Sequence, residues 1–265
     1  MNQKTTSIKK YWVFFVQNVN EYLTYRLKLF LGLFSNLIIP ITMIWIFSSL
    51  PQSQFAGMTK AEIAKYYVLG SFLYQFVGSK ADDFIKLAIQ HGDLGRYLIK
   101  PVNFWLLVFI HDFSKRIIRF FISIPFLIIF ASLVGVPLDF LRDLLSIQTL
   151  CILILSYSLI FFMSFSLGLL TFWVEEVWGL QNLKETGVKI LSGLAIHYQF
   201  FPVVAVSVLQ WLPFPYLIIW IVRFGFTGNI YFEIFVAIFW ITTFYLLSLF
   251  LWRRGLKAYS GTGLY

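Results

Sequence analysis

Apolar residues come in long blocks along this chain, separated by short polar stretches, and the blocks predict the elements. Residues 30–50 form a clean apolar run closed by Pro51. Residues 63–79 form a weaker one, in which Gly70, Gln75 and Gly78 mark a face packed on protein. Further runs cover 117–136, with Pro125 as a kink repaired by neighbours, 144–174, long enough to tilt, and 230–252. A membrane-crossing helix needs about 20 such residues, so each run predicts one span. The stretch 187–228 is apolar but broken by Gly193, His197, Pro202, Gln210, Pro213, Pro215 and Arg223. It predicts one crossing over 187–201, then a re-entrant pair of short helices over 202–228, hinged at Leu212-Pro213-Phe214-Pro215. Irregular backbone at membrane depth is tolerated only where protein buries it or where it lines a cavity. Ahead of the first run, residues 7–28 predict an amphipathic helix in the membrane interface, with Tyr11, Phe14, Phe15, Tyr22 and Tyr25 as aromatic anchors.

The polar insert inside 86–105 carries the most information. Gln90-His91-Gly92-Asp93-Leu94-Gly95-Arg96-Tyr97-Leu98-Ile99-Lys100-Pro101 opens on Gly-Asp-Leu and closes on Lys-Pro, the pattern of one short surface helix with a stop. A membrane chain without a soluble domain that shows such a helix predicts docking there. Gly95 would permit close approach, Leu94 and Tyr97 would be apolar anchors, and Arg96 and Lys100 would pair with acids across the interface.

Composition agrees with lipid as the main solvent. The 265 residues are 59% hydrophobic and 12% charged, against about 25% charged in soluble domains. The net charge of +9 does not point to nucleic acid, because the basic residues flank the runs instead of forming one patch. They set orientation. With six spans and both termini cytoplasmic, only Lys60, Lys65, Arg142 and Arg223 of the 21 basic residues lie outside, as the excess of Lys and Arg in cytoplasmic loops requires. A second crossing in 187–228 would put Arg253, Arg254 and Lys257 outside. The fold class expected is therefore an all-α polytopic membrane protein. Residues 1–265 form a single domain with an interfacial helix (1–28), a docking segment (86–105) and a re-entrant region (202–228). The N-terminus does not read as a cleavable signal. Cys151, the only cysteine, reads as a packing residue and excludes an internal disulfide.

Catalytic signatures are missing. The sequence has no phosphate-cradling Gly-Lys-Ser/Thr loop, no His-Glu-x-x-His and no Gly-x-Ser-x-Gly. Asp82-Asp83 reads as the polar end of the second span, and His111-Asp112 as an interfacial pair. His91 reads as solvated or docking. Glu175-Glu176 reads either as a solvated loop start paired with nearby Lys or Arg, or as a gate that attracts cations. His197, titratable and near the outer end of a broken span, reads either as part of a pathway or as a packed, hydrogen-bonded residue.

Several segments, taken in order, resemble ABC-2 type permeases, in the bacterial branch that pairs permease subunits with a separate ATPase. They are Tyr25-Arg26; Gly57-Met58-Thr59 through Glu62-Ile63 with Tyr66-Tyr67; Gly92-Asp93-Leu94 through Leu98-Ile99-Lys100-Pro101; Phe172-Trp173-Val174-Glu175-Glu176; Leu191-Ser192-Gly193 with Phe200-Phe201-Pro202; and Gly255-Leu256-Lys257-Ala258-Tyr259 with Gly261. Met58 replaces a common Trp, and His197-Tyr198 stands where Pro-Leu is expected. The resemblance implies an exporter permease in the bacterial cytoplasmic (inner) membrane. It implies a second permease, identical or paralogous, and two ATPase copies. Gly92, Asp93, Leu94, Gly95, Arg96, Tyr97, Lys100 and Pro101 would then form the ATPase-coupling segment. No cofactor is expected on this chain, ATP and Mg being on the ATPase. An intramembrane enzyme using His197, His111-Asp112 and Glu175-Glu176, or a non-transporting membrane assembly protein, are the alternatives. The enzyme reading needs those groups to converge.

Overall fold

The computed structural model describes residues 3–49, 59–137, 146–222, 227 and 229–259, and every described element is helical. Helix α1 spans Gln3–Thr24 and α2 Arg26–Ser49. Helices α3 (Lys60–Val77), α4 (Ala81–Gln90) and α5 (Asp93–Ile99) follow. The long α6 is Phe104–Val134 and α7 is Ile147–Leu169. After α8 (Trp178–Leu191) come α9 (Val203–Leu209), a 3-10 turn Phe214–Tyr216, α10 (Ile219–Val222) and finally α11 (Ile230–Ala258).

Local chemistry fixes four of the helix starts, those of α3, α6, α7 and α11. Thr59 Oγ1 accepts from Glu62 N at 3.2 Å while Glu62 Oε2 accepts from Thr59 N at 2.7 Å, a reciprocal cap written as Thr-x-x-Glu. Asn103 Oδ1 accepts from Trp105 N and Leu106 N, Ser146 Oγ from Thr149 N, and Asn229 Oδ1 from Tyr231 N and Phe232 N. Gly135, at φ 75°, ends α6 in the left-handed conformation, with Val136 N bonded to Ala131 O at 2.9 Å.

Four described helical segments are long and apolar enough to cross a membrane: Leu29–Phe47, Phe104–Val134, Ile147–Phe172 and Ile230–Ala258. The other two expected spans are of a different kind. Helix α3 carries Lys60, Glu62 and Lys65 in its first turns and is mostly buried. Where a crossing was expected over 187–201, the described helix is α8, which starts earlier, at Trp178, and is only 14 residues long. Its ends still reach opposite ends of α3. Gln181 and Lys184 bond Asp83 and Asp82, just past the end of α3. At the other end Tyr66, near the start of α3, donates to Gly193 O at 2.7 Å. The expected pair of short helices lies in 202–222, as α9 and α10 about the Phe214–Tyr216 turn; Arg223 and Gly228 are outside the described residues. Protein buries that turn: Tyr216, Leu217, Ile218 and Trp220 are fully covered, and Ser156 Oγ donates to Tyr216 O at 2.6 Å. This is the condition under which irregular backbone survives in lipid.

Three further expectations need correction. The first helix stops at Thr24, so Arg26 and Lys28 belong to α2. Helix α6 starts at Phe104, not at residue 117, because its polar residues find partners inside the protein. Asp112 accepts from Lys80 N at 2.9 Å and from Tyr157 Oη at 3.0 Å, and His111 Nδ1 lies 2.7 Å from Asn18 Oδ1. Cys151 is exposed, on a flank of α7 shared with Ile147, Leu150 and Ile154, so it is a surface residue of that helix.

Helix α7 is the centre of the bundle, packed along α11 on one side and α4 on the other. Small side chains make this possible. Ser166 Oγ meets Ser248 Oγ at 2.8 Å, and a Cβ added at Gly168 would lie 2.8 Å from Asp82 Cα. The obstacle there is backbone, which cannot rotate away. Gly168→Ala is therefore expected to destabilise the chain by about 1–3 kcal/mol, read as a lower thermal midpoint of the purified protein in detergent. An unchanged midpoint would contradict this contact.

Candidate functional site: the α5 platform

Helix α5 is a short rod on a firm base. Gly92 precedes it at φ 74°, a conformation that lets the chain reverse sharply after α4. Leu94 points inward and is fully buried with Ala81, Ile85, Ala88, Ile89, Phe104 and Val108. Tyr97 is half-buried, its ring 5.9 Å from both Phe84 and Phe104. Phe104 stacks on Trp252 of α11 at 5.0 Å, and Tyr259 Oη donates to Gly92 O at 3.3 Å. Ring contacts thus connect α5 to the start of α6 and the end of α11.

The outward side differs from the sequence expectation. Leu94 is an internal anchor, and Tyr97 is mainly one, so neither is the main apolar contact for a partner. Leu98, 46% exposed, and Ile99, 87% exposed, carry the free apolar surface instead. Arg96 projects beside them, bonded to Asp93 at 2.9 Å across exposed surface. A Cβ at Gly95 would meet nothing within 4 Å, so that face is open. Lys100 and Pro101 are exposed and end the rod. The missed signal was the helical offset. In a seven-residue helix starting at Asp93, Leu94 and Tyr97 are three apart and share one face, leaving Ile99 on the other.

Glu175 and Glu176 lie beside this platform. Lys86 Nζ bonds Glu176 Oε1 at 2.7 Å, and Gln90 Nε2 donates to Glu175 O. The hydrogen bond from Lys86 holds the Glu176 carboxyl below its ordinary value, helped by the Trp178 N–H. His197 is elsewhere: buried, with its ring 4.3 Å from that of Tyr66 at the opposite end of α3. His111 has a third environment, against Asn18 and Lys115. The structure therefore does not bring His197, His111 and Glu175-Glu176 into one site.

One buried ion pair went unnoticed in the sequence. Lys184 Nζ bonds Asp82 Oδ1 at 2.7 Å, with Ser164 Oγ at 3.1 Å and Ser79 O at 3.4 Å. It joins α8, α4 and α7, and both side chains are almost fully covered. Burial pushes the Asp82 carboxyl above its ordinary value, and Lys184 opposes that rise. Asp82 is therefore in the first turn of α4 and a core partner, not the polar end of the second span.

Sequence segments far apart along the chain meet in pairs. Tyr66 meets Gly193, Gly92 meets Tyr259, and a Cβ at Gly255 would fall 2.1 Å from the Phe172 ring. Gly57, Met58 and Gly261 lie outside the described residues. Searches of curated proteins and of solved structures found no match. The family described as ABC-2 family transporter protein matches residues 33–263, a stretch that holds both the α5 platform and the central bundle. With that match running over most of its length, and with membrane-spanning helices around a central α7, the chain belongs to the ABC-2 transporter family as a membrane component.

Proposed function

We propose that this chain is the permease subunit of an ATP-driven exporter and that α5 is where a separate ATPase drives it. The observation that carries the reading is the exposed Leu98-Ile99 tip on a buried base, in a chain of this family. The role is mechanical. ATPase closure would move α5, and the ring contacts of Phe104 and Trp252 would pass the motion to α6 and α11. In this reading α5 faces the cytoplasm of a bacterial inner membrane, and α1 with the polar first half of α6 lies at the inner interface. The α3 and α8 passages bring the count to six. The working assembly has two permeases, identical or paralogous, and two ATPase subunits.

ATP and Mg would be held by the ATPase. The purified chain alone is expected to bind no nucleotide and to hydrolyse none, and to co-purify with its ATPase when the two are expressed together. Nucleotide binding by the chain alone, measured by equilibrium dialysis, would overturn the division of labour.

Topology is tested separately. With Cys151 replaced by Ser, a cysteine at exposed Tyr231 is expected to react with a membrane-impermeant thiol reagent in intact cells, and one at His91 only after lysis. The 17 to 4 division of the 21 basic residues motivates this result. Labelling of His91→Cys in intact cells would sink the orientation.

A further inference from the structure

A cavity of about 190 Å³ opens between α2, α3, α6, α7 and α8, next to the Lys184–Asp82 pair. That is more than ten times the ~10–15 Å³ of such volume one water needs. Five cations line it: Lys80, Arg116, Arg119, Lys184 and Lys189. Among the described residues the only acid in the lining is Glu185, and two more, Asp82 and Asp112, stand behind it.

The partners of these cations decide what the cavity can take. Lys80 is neutralised by Glu185 at 3.1 Å, and the Lys184 ammonium has its three acceptors. Arg116 is different. It is 5% exposed, its Nε has no hydrogen-bond partner, and its ion pair with Asp112 is a loose one, at 3.6 Å. Asp112 already accepts from Lys80 N and Tyr157 Oη. Arg119 bonds only the neutral Tyr22 hydroxyl, through Nε at 2.9 Å and Nη2 at 2.6 Å. The Lys189 ammonium makes no hydrogen bond or ion pair among the described residues, although its charge acts on Glu185. Arg119 and Lys189 are thus left without an ion-paired carboxylate among the described residues, and the buried Arg116 has only its loose pair with Asp112.

Residues that merely set orientation send their charge outward to water. A buried guanidinium with an unused donor costs free energy until an acceptor meets it. Its planar fork suits a phosphate oxygen pair. Small and polar groups of α2 (Gly32, Ser35 and Asn36) form the facing wall, so a bulky headgroup meets no apolar side chain there. We infer that this cavity binds the phosphate-bearing anionic head of a ligand, with Arg116, Arg119 and Lys189 as the holding cations. The same field repels a cationic ligand. Basic pockets between spans are a known way to hold anionic headgroups. The site is independent of ATPase docking, since its residues are separate from α5.

The test uses the purified full chain in neutral detergent, without any ATPase. Phosphatidylglycerol, phosphatidylcholine and inorganic phosphate are each titrated, with bound ligand counted by native mass spectrometry. Saturable phosphatidylglycerol binding that phosphatidylcholine does not match is expected. Lys189→Glu and Arg116→Gln should each weaken it by about 10-fold or more, the loss of a charge-assisted contact. Lys189 is partly exposed, so its variant keeps the fold even where the Arg116 variant does not. Displacement by inorganic phosphate would assign the site to soluble phosphate compounds, and no displacement to amphiphiles. Equal binding of the two lipids, or unchanged affinity in a folded Lys189→Glu chain, would overturn the assignment.

Discussion

Ile99→Asp is expected to abolish export and to break ATPase association while the chain still inserts and folds. Ile99 is 87% exposed and bears no load inside the protein, so a charge there does not disturb the base. A carboxylate placed in an apolar docking cleft has no partner and faces its full desolvation cost. Arg96→Glu should act alike by reversing charge at the rim, and anchors of this kind commonly account for about 2 kcal/mol or more each. Tyr97→Ala is a poorer probe, because its ring packs on Phe84 and Phe104 and its loss loosens the platform itself. If α5 were only a solvated loop, the Ile99 and Arg96 changes would be nearly silent, within about 0.5 kcal/mol. Pull-down of the ATPase and export rate, normalised to membrane level, separate the two outcomes.

The second large effect is on stability. Lys184→Met should destabilise the chain by about 3–5 kcal/mol, because it leaves Asp82 buried without its counter-charge. Pairing it with Asp82→Asn should recover most of that loss. The sign with pH follows from burial. The Asp82 carboxyl is already raised above its ordinary 3.8, and loss of Lys184 raises it further. A group whose folded value is raised contributes stability at low pH that is lost as pH rises through that value. The deficit of the single variant should therefore shrink as pH falls toward the acid range, while the double variant shows no such recovery. Thermal midpoints of the three proteins across pH measure both effects. Equal midpoints for the single variant and the parent chain would remove Lys184–Asp82 from the account of the core.

The parts legible in the sequence were those where one run of apolar residues makes one helix. Helices α2, α7 and α11 follow the runs at 30–50, 144–174 and 230–252 closely. The broken chemistry around Pro213 and Pro215 likewise predicted short helices about a turn. Failures came where polar residues are satisfied across the bundle. His111 and Asp112 looked like an interfacial pair, but Asn18, Tyr157 and Lys80 N partner them inside the protein. Lys184 looked like a loop lysine because its partner is 102 residues away. The α5 insert was visible as a helix with a stop, yet which of its residues faces out depends on a register that short polar segments do not declare. Leu94, expected to face a partner, is buried, and Ile99 is exposed instead. The basic cavity was invisible, since its cations come from the turn between α3 and α4, from α6 and from α8, and look in sequence like ordinary flanking charges.

The most direct measurement is a cross-link from the tip of α5. A photo-reactive amino acid is placed at Ile99, or at Trp211 as a control exposed at the far end of the bundle, in cells making the chain with its ATPase. The account predicts ATPase captured from position 99 and absent from position 211, with Arg96→Glu reducing the yield. Capture from 211 and none from 99 would contradict it.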